Sequence, residues 1–152
     1  MGYYRETPVT LDQYHIDWEK DAAINADDLD RDARNVPLLH AKWWKYYTTE
    51  RLRYRKLDME HKTLYRQKWE WYLGKLDDSE RVKLGWQPQP LKILSANVSV
   101  YLDADHDLQE NAKARVVLEE TLRFLEDVIK VINKRGYDIK NAIDYLRFKM
   151  GM

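Results

Sequence analysis

Residues 42–75, KWWKYYTTERLRYRKLDMEHKTLYRQKWEWYLGK, interleave basic and aromatic side chains. Lysine and arginine bind phosphates, and the faces of tryptophan and tyrosine stack on bases, so a surface that carries both is typical of proteins that bind single-stranded nucleic acid. A long amphipathic helix offers a competing explanation, because it buries its aromatic residues and exposes its charges. Some of these side chains do follow spacings near three or four residues, which indicates packing: Trp43, Tyr47, Tyr54, Leu57, His61 and Leu64.

The charges of the chain balance overall but are segregated along it. Lysine plus arginine and aspartate plus glutamate number 26 each, so the net charge predicts no partner. Residues 1–35 carry nine acidic and four basic residues, whereas residues 51–75 carry eight basic and three acidic ones. The excess of bases in residues 51–75 is more than solvation of a helix requires, and it favours a nucleic-acid contact there.

No other pattern supports catalysis or a metal site. The chain has no cysteine, which excludes disulfides, thiol catalysis and cysteine zinc sites. It has no P-loop, and its four histidines lack metal-ligand spacing. Asp103, Asp105 and Asp107 resemble the start of a calcium loop, but Leu108 replaces the required glycine and Ala114 the bidentate glutamate, so we interpret these acids as helix caps. We therefore expect no enzyme, no cofactor and no metal.

Good helix formers fill the stretches between the few glycines and prolines, so the sequence predicts an all-α fold. Thr10 is the expected cap of a first short helix, and Asp27 or Asp28 that of a second, which ends before residue 35. Pro37 suits the first turn of a long helix that continues unbroken to Gly74.

A second long helix is predicted from Asp105 or Asp107 to Arg135, with Gly136 just beyond its end and Asp138 capping a last, shorter helix. Spacings of four and three residues in this part of the chain are typical of a helical bundle or a short coiled coil. The predicted oligomerisation residues are Leu118, Leu122, Leu125, Ile129, Ile132, Ile139, Ile143 and Leu146.

Three segments resemble the UvsY family, the recombination mediators of T-even-type bacteriophages. LYRQKWEWYLGK, residues 64–75, is similar to a family element with a leucine, two bases separated by one residue, an acid, two aromatic residues and a glycine. KRGYDIKNAIDYLRFKMG, residues 134–151, resembles the family's C-terminal element, and LSAN, residues 94–97, resembles a short motif upstream of it. The similarity is fair from about residue 64 to the end and looser before it.

The resemblance implies roles for particular residues and partners. The two bases of the element, implicated in binding single-stranded DNA in the family, fall on Arg66 and Lys68, in reversed order. The acid and aromatics fall on Glu70, Trp71 and Tyr72. The resemblance also implies a ring-like homo-oligomer, a hexamer or heptamer, assembled largely through C-terminal helices. Its implied partners are a RecA-like recombinase of the UvsX type and the phage single-stranded-DNA-binding protein.

We therefore expect a recombination mediator that promotes loading of a RecA-like recombinase onto single-stranded DNA covered by its binding protein. The expected division is a DNA-binding part at residues 1–75, a hinge at 76–91 and an oligomerisation part at 92–152. The predicted DNA-binding residues are Arg66, Lys68, Arg51, Arg53, Arg55, Lys56, Lys62, Lys75, Trp71 and Tyr72.

Two other classes of function remain open. A helical oligomeric scaffold that never touches DNA is the main alternative, and a metal-dependent nuclease built from the surplus acids is a weaker one. The chain starts without the apolar core of a signal peptide and contains no apolar run of membrane-spanning length, so we expect it in the host-cell cytoplasm.

Overall fold

The computed structural model describes residues 8–152, and every regular element in that range is helical. The helices are α1 (Leu11–Ala22), α2 (Leu29–Tyr72), α3 (Asp78–Leu84), α4 (Val98–Asp103) and α5 (His106–Lys149), and a single 3₁₀ turn lies at Ser95–Asn97. α2 and α5 contain 44 residues each, which confirms the prediction of an all-α chain with two long helices. No helix in residues 8–152 is both long and apolar enough to cross a membrane. Residues 1–7, which include Glu6 of the acidic segment, lie outside the described residues.

The predicted caps at the start of the chain are present. The Thr10 hydroxyl accepts a hydrogen bond from the Gln13 amide at 3.2 Å, and the Gln13 side chain accepts one from the Thr10 amide at 2.9 Å. At the start of α2, the Asp28 carboxylate accepts a hydrogen bond from the Arg31 amide at 3.2 Å. Side chains thus satisfy amide groups that the first turn of a helix leaves without intrahelical partners.

The expected break before Pro37 is wrong, because α2 begins at Leu29 and runs through the proline. A proline inside a helix costs about 3 kcal/mol, mainly through the lost hydrogen bond and the crowding of the preceding turn. Pro37 is exposed, whereas Leu29, Val36 and Leu39 are buried or half-buried along the same helix. Burial of apolar side chains before and after Pro37 therefore outweighs the cost of a proline inside the helix.

The expected end of the second long helix at Arg135 is also wrong, because α5 continues through Gly136 and Asp138 to Lys149. Ile132, Arg135 and Ile139 are all buried, so one side of the helix stays covered across the glycine. The Arg135 guanidinium donates to the carbonyl oxygens of Ala22 and Ala23 at 3.0 and 2.8 Å, at the end of α1. Burial of these long side chains exceeds the roughly 1 kcal/mol that a glycine costs in a helix.

Residues 76–91, predicted as a hinge, contain the short helix α3. At the start of α3, the Asp77 carboxylate accepts hydrogen bonds from the Ser79 and Glu80 amides. Gly85 ends the helix in the left-handed region, at a φ of 72°, where other residues are strained. The capping acid and the terminal glycine make a seven-residue helix possible in a segment otherwise rich in turn residues.

The chain forms two compact units, each with its own hydrophobic core. Unit 1 comprises the residues up to Glu50 and Glu120–Met152, and unit 2 comprises Arg51–Glu119. Both long helices are therefore shared between the units. The core of unit 1 contains Tyr14, Trp43, Leu125, Val128, Ile129 and Ile132. The core of unit 2 contains Val98, Leu102 and Leu108, with Leu64, Tyr72, Leu73 and Ile93 packed against them.

We predict that Gly136→Ala stabilises the chain by about 1 kcal/mol, because alanine has the higher helix propensity and reduces the freedom of the unfolded chain. No atom lies within 4 Å of a Cβ built at this position. Urea denaturation of the variant against the unsubstituted protein measures the change in unfolding free energy. Gly85→Ala is the matched control, since its left-handed backbone should make the same substitution destabilising. A destabilised Gly136→Ala variant would contradict a continuous α5.

Candidate nucleic-acid interface on α2

The exposed side of α2 in unit 2 carries a row of four basic side chains, Arg51, Arg55, Lys62 and Arg66, which we call the basic row. The residues are separated by four, seven and four positions, so they lie on one side of the helix. At 1.5 Å per residue the row extends about 22 Å along the helix axis. All four side chains are exposed, so a polyanion can reach them.

Two members of the row have carboxylate partners. Lys62 lies 3.2 Å from Asp58, and its side chain is 75% exposed. Arg66 contacts Glu70 at 2.8 Å and Glu80, on α3, at 2.7 Å. Hydrogen bonds to Glu80 and then Glu70 raise the pKa of Arg66 above its usual value. Within residues 8–152, Arg51 and Arg55 have no ion-pair partner, so the row retains a positive charge.

The remaining predicted bases lie around the row or away from the surface. Lys56 and Lys75 are exposed, and neither forms an ion pair within the part of the chain that the structure describes. Arg53 is half-buried. Of the predicted basic residues, Lys68 is the one that is buried, with an exposed fraction of 8%.

Lys68 lies in a cluster of charged and aromatic side chains in unit 2. Its ammonium group is 3.2 Å from Asp105 and 2.7 Å from Asp107. Asp105 is itself buried, and it accepts hydrogen bonds from the Tyr72 hydroxyl at 2.7 Å and the Leu108 amide at 3.0 Å. We call Lys68, Tyr72 and Asp105 the buried triad. The bond from Leu108 also confirms the helix-cap interpretation of Asp105, which lies at the start of α5.

Two tryptophan rings also lie near the ammonium group of the buried triad. The Lys68 ammonium lies 4.4 Å from the centroid of the Trp86 ring and 5.9 Å from that of Trp71. The Trp71 indole donates to the Gln87 carbonyl oxygen at 2.7 Å. The sequence predicts that Trp71 and Tyr72 stack on bases or lock the helix end. Trp71 holds the end of α2 against the segment that follows it, and Tyr72 holds it against the start of α5.

Tyr65 and Trp69 are exposed on the same side of α2 as the basic row, with exposed fractions of 47% and 39%. Neither residue is among the predicted DNA-binding residues. The available signal was helical spacing, because Tyr65 and Trp69 lie three and seven positions after Lys62.

The predicted oligomerisation residues divide into two groups. Leu125, Ile129, Ile132 and Ile139 are buried within the chain itself, so they pack its own core. Leu118, Leu122 and Ile143 are half-buried, and Leu146 is 37% exposed. Of the predicted residues, only this second group has surface left for a contact with another subunit.

We predict that Lys68→Ala lowers the unfolding free energy by about 3 kcal/mol, because it leaves Asp105 buried without its counter-ion. Chemical denaturation measures the loss. Lys62→Ala is the matched control: it removes the same side chain from an exposed pair, which is worth at most about 1 kcal/mol. Equal effects of the two substitutions would contradict a structural role of Lys68.

We also predict that the stability contributed by Asp105 depends on pH. Burial opposes ionisation of Asp105, but the Leu108 amide, the Tyr72 hydroxyl and Lys68 together hold its pKa below the usual value. A carboxyl group with a lowered folded-state pKa stabilises the fold above its unfolded pKa of about 3.9, and this stability is lost as pH falls through the folded value. Asp105→Asn should therefore be less stable than the unsubstituted protein at pH 7. Denaturation at a series of pH values should show this difference shrinking below about pH 4, and a constant difference would refute the assignment.

Comparison with known proteins gives one family. The sequence model of the family described as "Recombination, repair and ssDNA binding protein UvsY" matches residues 17–152. No curated protein matches the chain.

Crystal structures of the bacteriophage T4 recombination mediator protein UvsY have the same fold. The lattice type IV structure matches with a TM-score of 0.79 and 21% identity, covering 92% of this chain and 99% of that one. The lattice type II structure gives a TM-score of 0.80 and 20% identity, covering 94% and 99%. The family match spans most of the sequence, and the expected element of two bases followed by an acid and two aromatics lies within it. The chain belongs to the UvsY family of recombination, repair and single-stranded-DNA-binding proteins.

Proposed function

We propose that the basic row on α2 is the surface through which this chain binds single-stranded DNA, and that the bound chain helps load a RecA-like recombinase. The observation that carries the proposal is the exposure of Arg51, Arg55, Lys62 and Arg66 on one side of one helix. Lys56 and Lys75, also exposed, extend the charge on either side, and the half-buried Arg53 is a lesser candidate. Lys68, with Trp71 and Tyr72, contributes by fixing the end of α2.

The row suits a flexible single strand because its charges lie on one rigid helix. Each phosphate held by an arginine or lysine releases cations condensed on the strand, and this release drives association at low salt. Four such contacts over about 22 Å give weak binding at cellular salt. Each subunit is therefore a weak DNA site that benefits from linkage to other copies.

Assembly into a hexamer or heptamer would supply that linkage. The C-terminal end of α5 presents exposed apolar side chains at Tyr145, Leu146 and Phe148, and Met150 follows directly after the helix. Such a group on a charged chain suits a protein contact. We assign the oligomer contact to this end of α5, together with Ile143. Several linked sites raise the local concentration of each for the same strand.

Mediation then follows from binding alone. A ring that holds one strand at several sites competes with the phage single-stranded-DNA-binding protein and offers the strand to a recombinase of the UvsX type. Binding free energy shifts the equilibrium between the two coatings, and no bond is made or broken. This activity takes place in the cytoplasm of the host cell.

We predict that Arg55→Ala with Lys62→Ala weakens single-stranded DNA binding and lowers the slope of log affinity against log salt by about 1.4, since each lost phosphate contact is worth about 0.7. Fluorescence anisotropy of a labelled oligonucleotide at several salt concentrations measures both changes.

The control for this double variant removes the same net charge elsewhere. Lys113→Ala with Lys130→Ala takes two exposed lysines from α5, outside the basic row. We expect this control to keep the affinity and the salt slope of the unsubstituted protein. Equal loss in both double variants would show that overall charge, and not the basic row, governs binding.

A further inference from the structure

Trp69 differs from the other tryptophans in having no aromatic or hydrogen-bonding partner within the described residues 8–152. The others each contact an aromatic ring or donate the indole N–H to an acceptor: Trp18, Trp43, Trp44, Trp71 and Trp86. Among residues 8–152, no aromatic ring lies against Trp69 and no acceptor receives its indole N–H. The side chain of Trp69 is also 39% exposed. A large flat apolar ring is thus available at the surface.

The surroundings of Trp69 on α2 are basic. Lys62, Tyr65, Arg66 and Trp69 follow one another at spacings of three, one and three residues, so they occupy one side of two successive helical turns. Tyr65 is 47% exposed and has one aromatic neighbour, His61, with ring centroids 6.4 Å apart. Two exposed rings therefore alternate with two exposed cations on the basic row.

We propose that Tyr65 and Trp69 are the residues on which this chain stacks the bases of single-stranded DNA. The proposal rests on the DNA-binding role of the basic row and adds what that role leaves open, namely where the bases go. Lys62 precedes Tyr65 and Arg66 lies between the two rings, so a strand whose phosphates contact these cations has bases within reach of the rings. Stacking on aromatic rings is tolerant of sequence, because every base has a flat face.

The spacing of the rings also accounts for a preference for single strands. Tyr65 and Trp69 are four residues apart, about 6 Å along the helix axis, whereas successive bases of one strand in a duplex rise by about 3.4 Å. Adjacent bases can stack on both rings only when the strand is extended and its bases are unpaired. Duplex DNA offers phosphates to the basic row but keeps its base faces inside the stack.

Trp71 and Tyr72 do not suit the same role. The Trp71 indole is bonded to Gln87, and the Tyr72 hydroxyl is bonded to Asp105 within the buried triad. Both rings are also half-buried, and they lie against Trp86 and Tyr101 with ring centroids 6.2 and 5.8 Å apart, so less of their faces is open to a base. Tyr65 and Trp69 are both exposed.

The test compares two labelled oligonucleotides of equal length, oligothymidylate and an abasic strand that has the same phosphates without bases. The unsubstituted protein should bind oligothymidylate about tenfold or more tightly than the abasic strand. The Tyr65→Ala, Trp69→Ala double variant should bind both strands equally, at the affinity of the unsubstituted protein for the abasic strand. Its salt slope should not change, because stacking neutralises no phosphate.

Two further variants sharpen the comparison. Met59→Ala shortens another apolar side chain on α2, 63% exposed, and should preserve the tenfold preference for oligothymidylate. Trp69→Phe keeps a ring at position 69 and should retain most of the preference. Loss of the preference in Met59→Ala would show a general effect of apolar surface on α2 and would overturn the proposal.

Other outcomes would also overturn the proposal that Tyr65 and Trp69, the stacking pair, bind the bases. One is equal binding of both strands by the unsubstituted protein, and another is an undiminished preference in the double variant. A third is a change in the sedimentation coefficient of the double variant without DNA, which would place the rings at a subunit contact. In these three cases the basic row can still bind phosphates. If the unsubstituted protein binds neither strand at low salt, the DNA site itself fails and the stacking pair fails with it.

Discussion

The cost of burying an ammonium group governs how unit 2 is built. Lys68 can leave water only if carboxylates and aromatic faces replace its hydration, and the chain supplies Asp105, Asp107 and Trp86 for this purpose. Asp105 must in turn stay ionised, which requires the Leu108 amide and the Tyr72 hydroxyl. One charge therefore specifies the end of α2, the start of α5 and the position of the tryptophan between them.

The same constraint separates the two bases of the family element. Residues two positions apart on a helix face nearly opposite directions, so Arg66 and Lys68 cannot both lie on one surface of α2. Arg66 faces solvent with the basic row, and Lys68 faces the interior. The two bases look like a single phosphate site in the sequence, yet their surroundings in the fold differ. If replacing Lys68 weakened DNA binding, part of the effect would come from the loss of its buried contacts.

The sequence allowed the helical class and the caps at Thr10 and Asp28 to be predicted, because these depend on local preferences. It also located an excess of bases in residues 51–75, but not which of them share one exposed side of α2. The continuity of α2 and α5 could not be predicted in the same way. Pro37 and Gly136 are locally unfavourable in a helix, and they are outweighed by burial that only the folded chain reveals. The partner of Lys68 lies 37 positions further along the chain, at Asp105, and no local pattern links the two. The spacing of Trp69 from Lys62 is visible in the sequence, but the aromatic residues of the family element fall on Trp71 and Tyr72.

The pairing of Arg66 with Glu70 and Glu80 bears on how a strand held there would be released. A phosphate bound to Arg66 would have to compete with two carboxylates that belong to the same chain. The same carboxylates would replace the phosphate when the strand left, so the guanidinium would exchange one anion for another. A protein that delivers a strand to another coating protein needs contacts that can be given up, and a cation that already has its own anions would provide one.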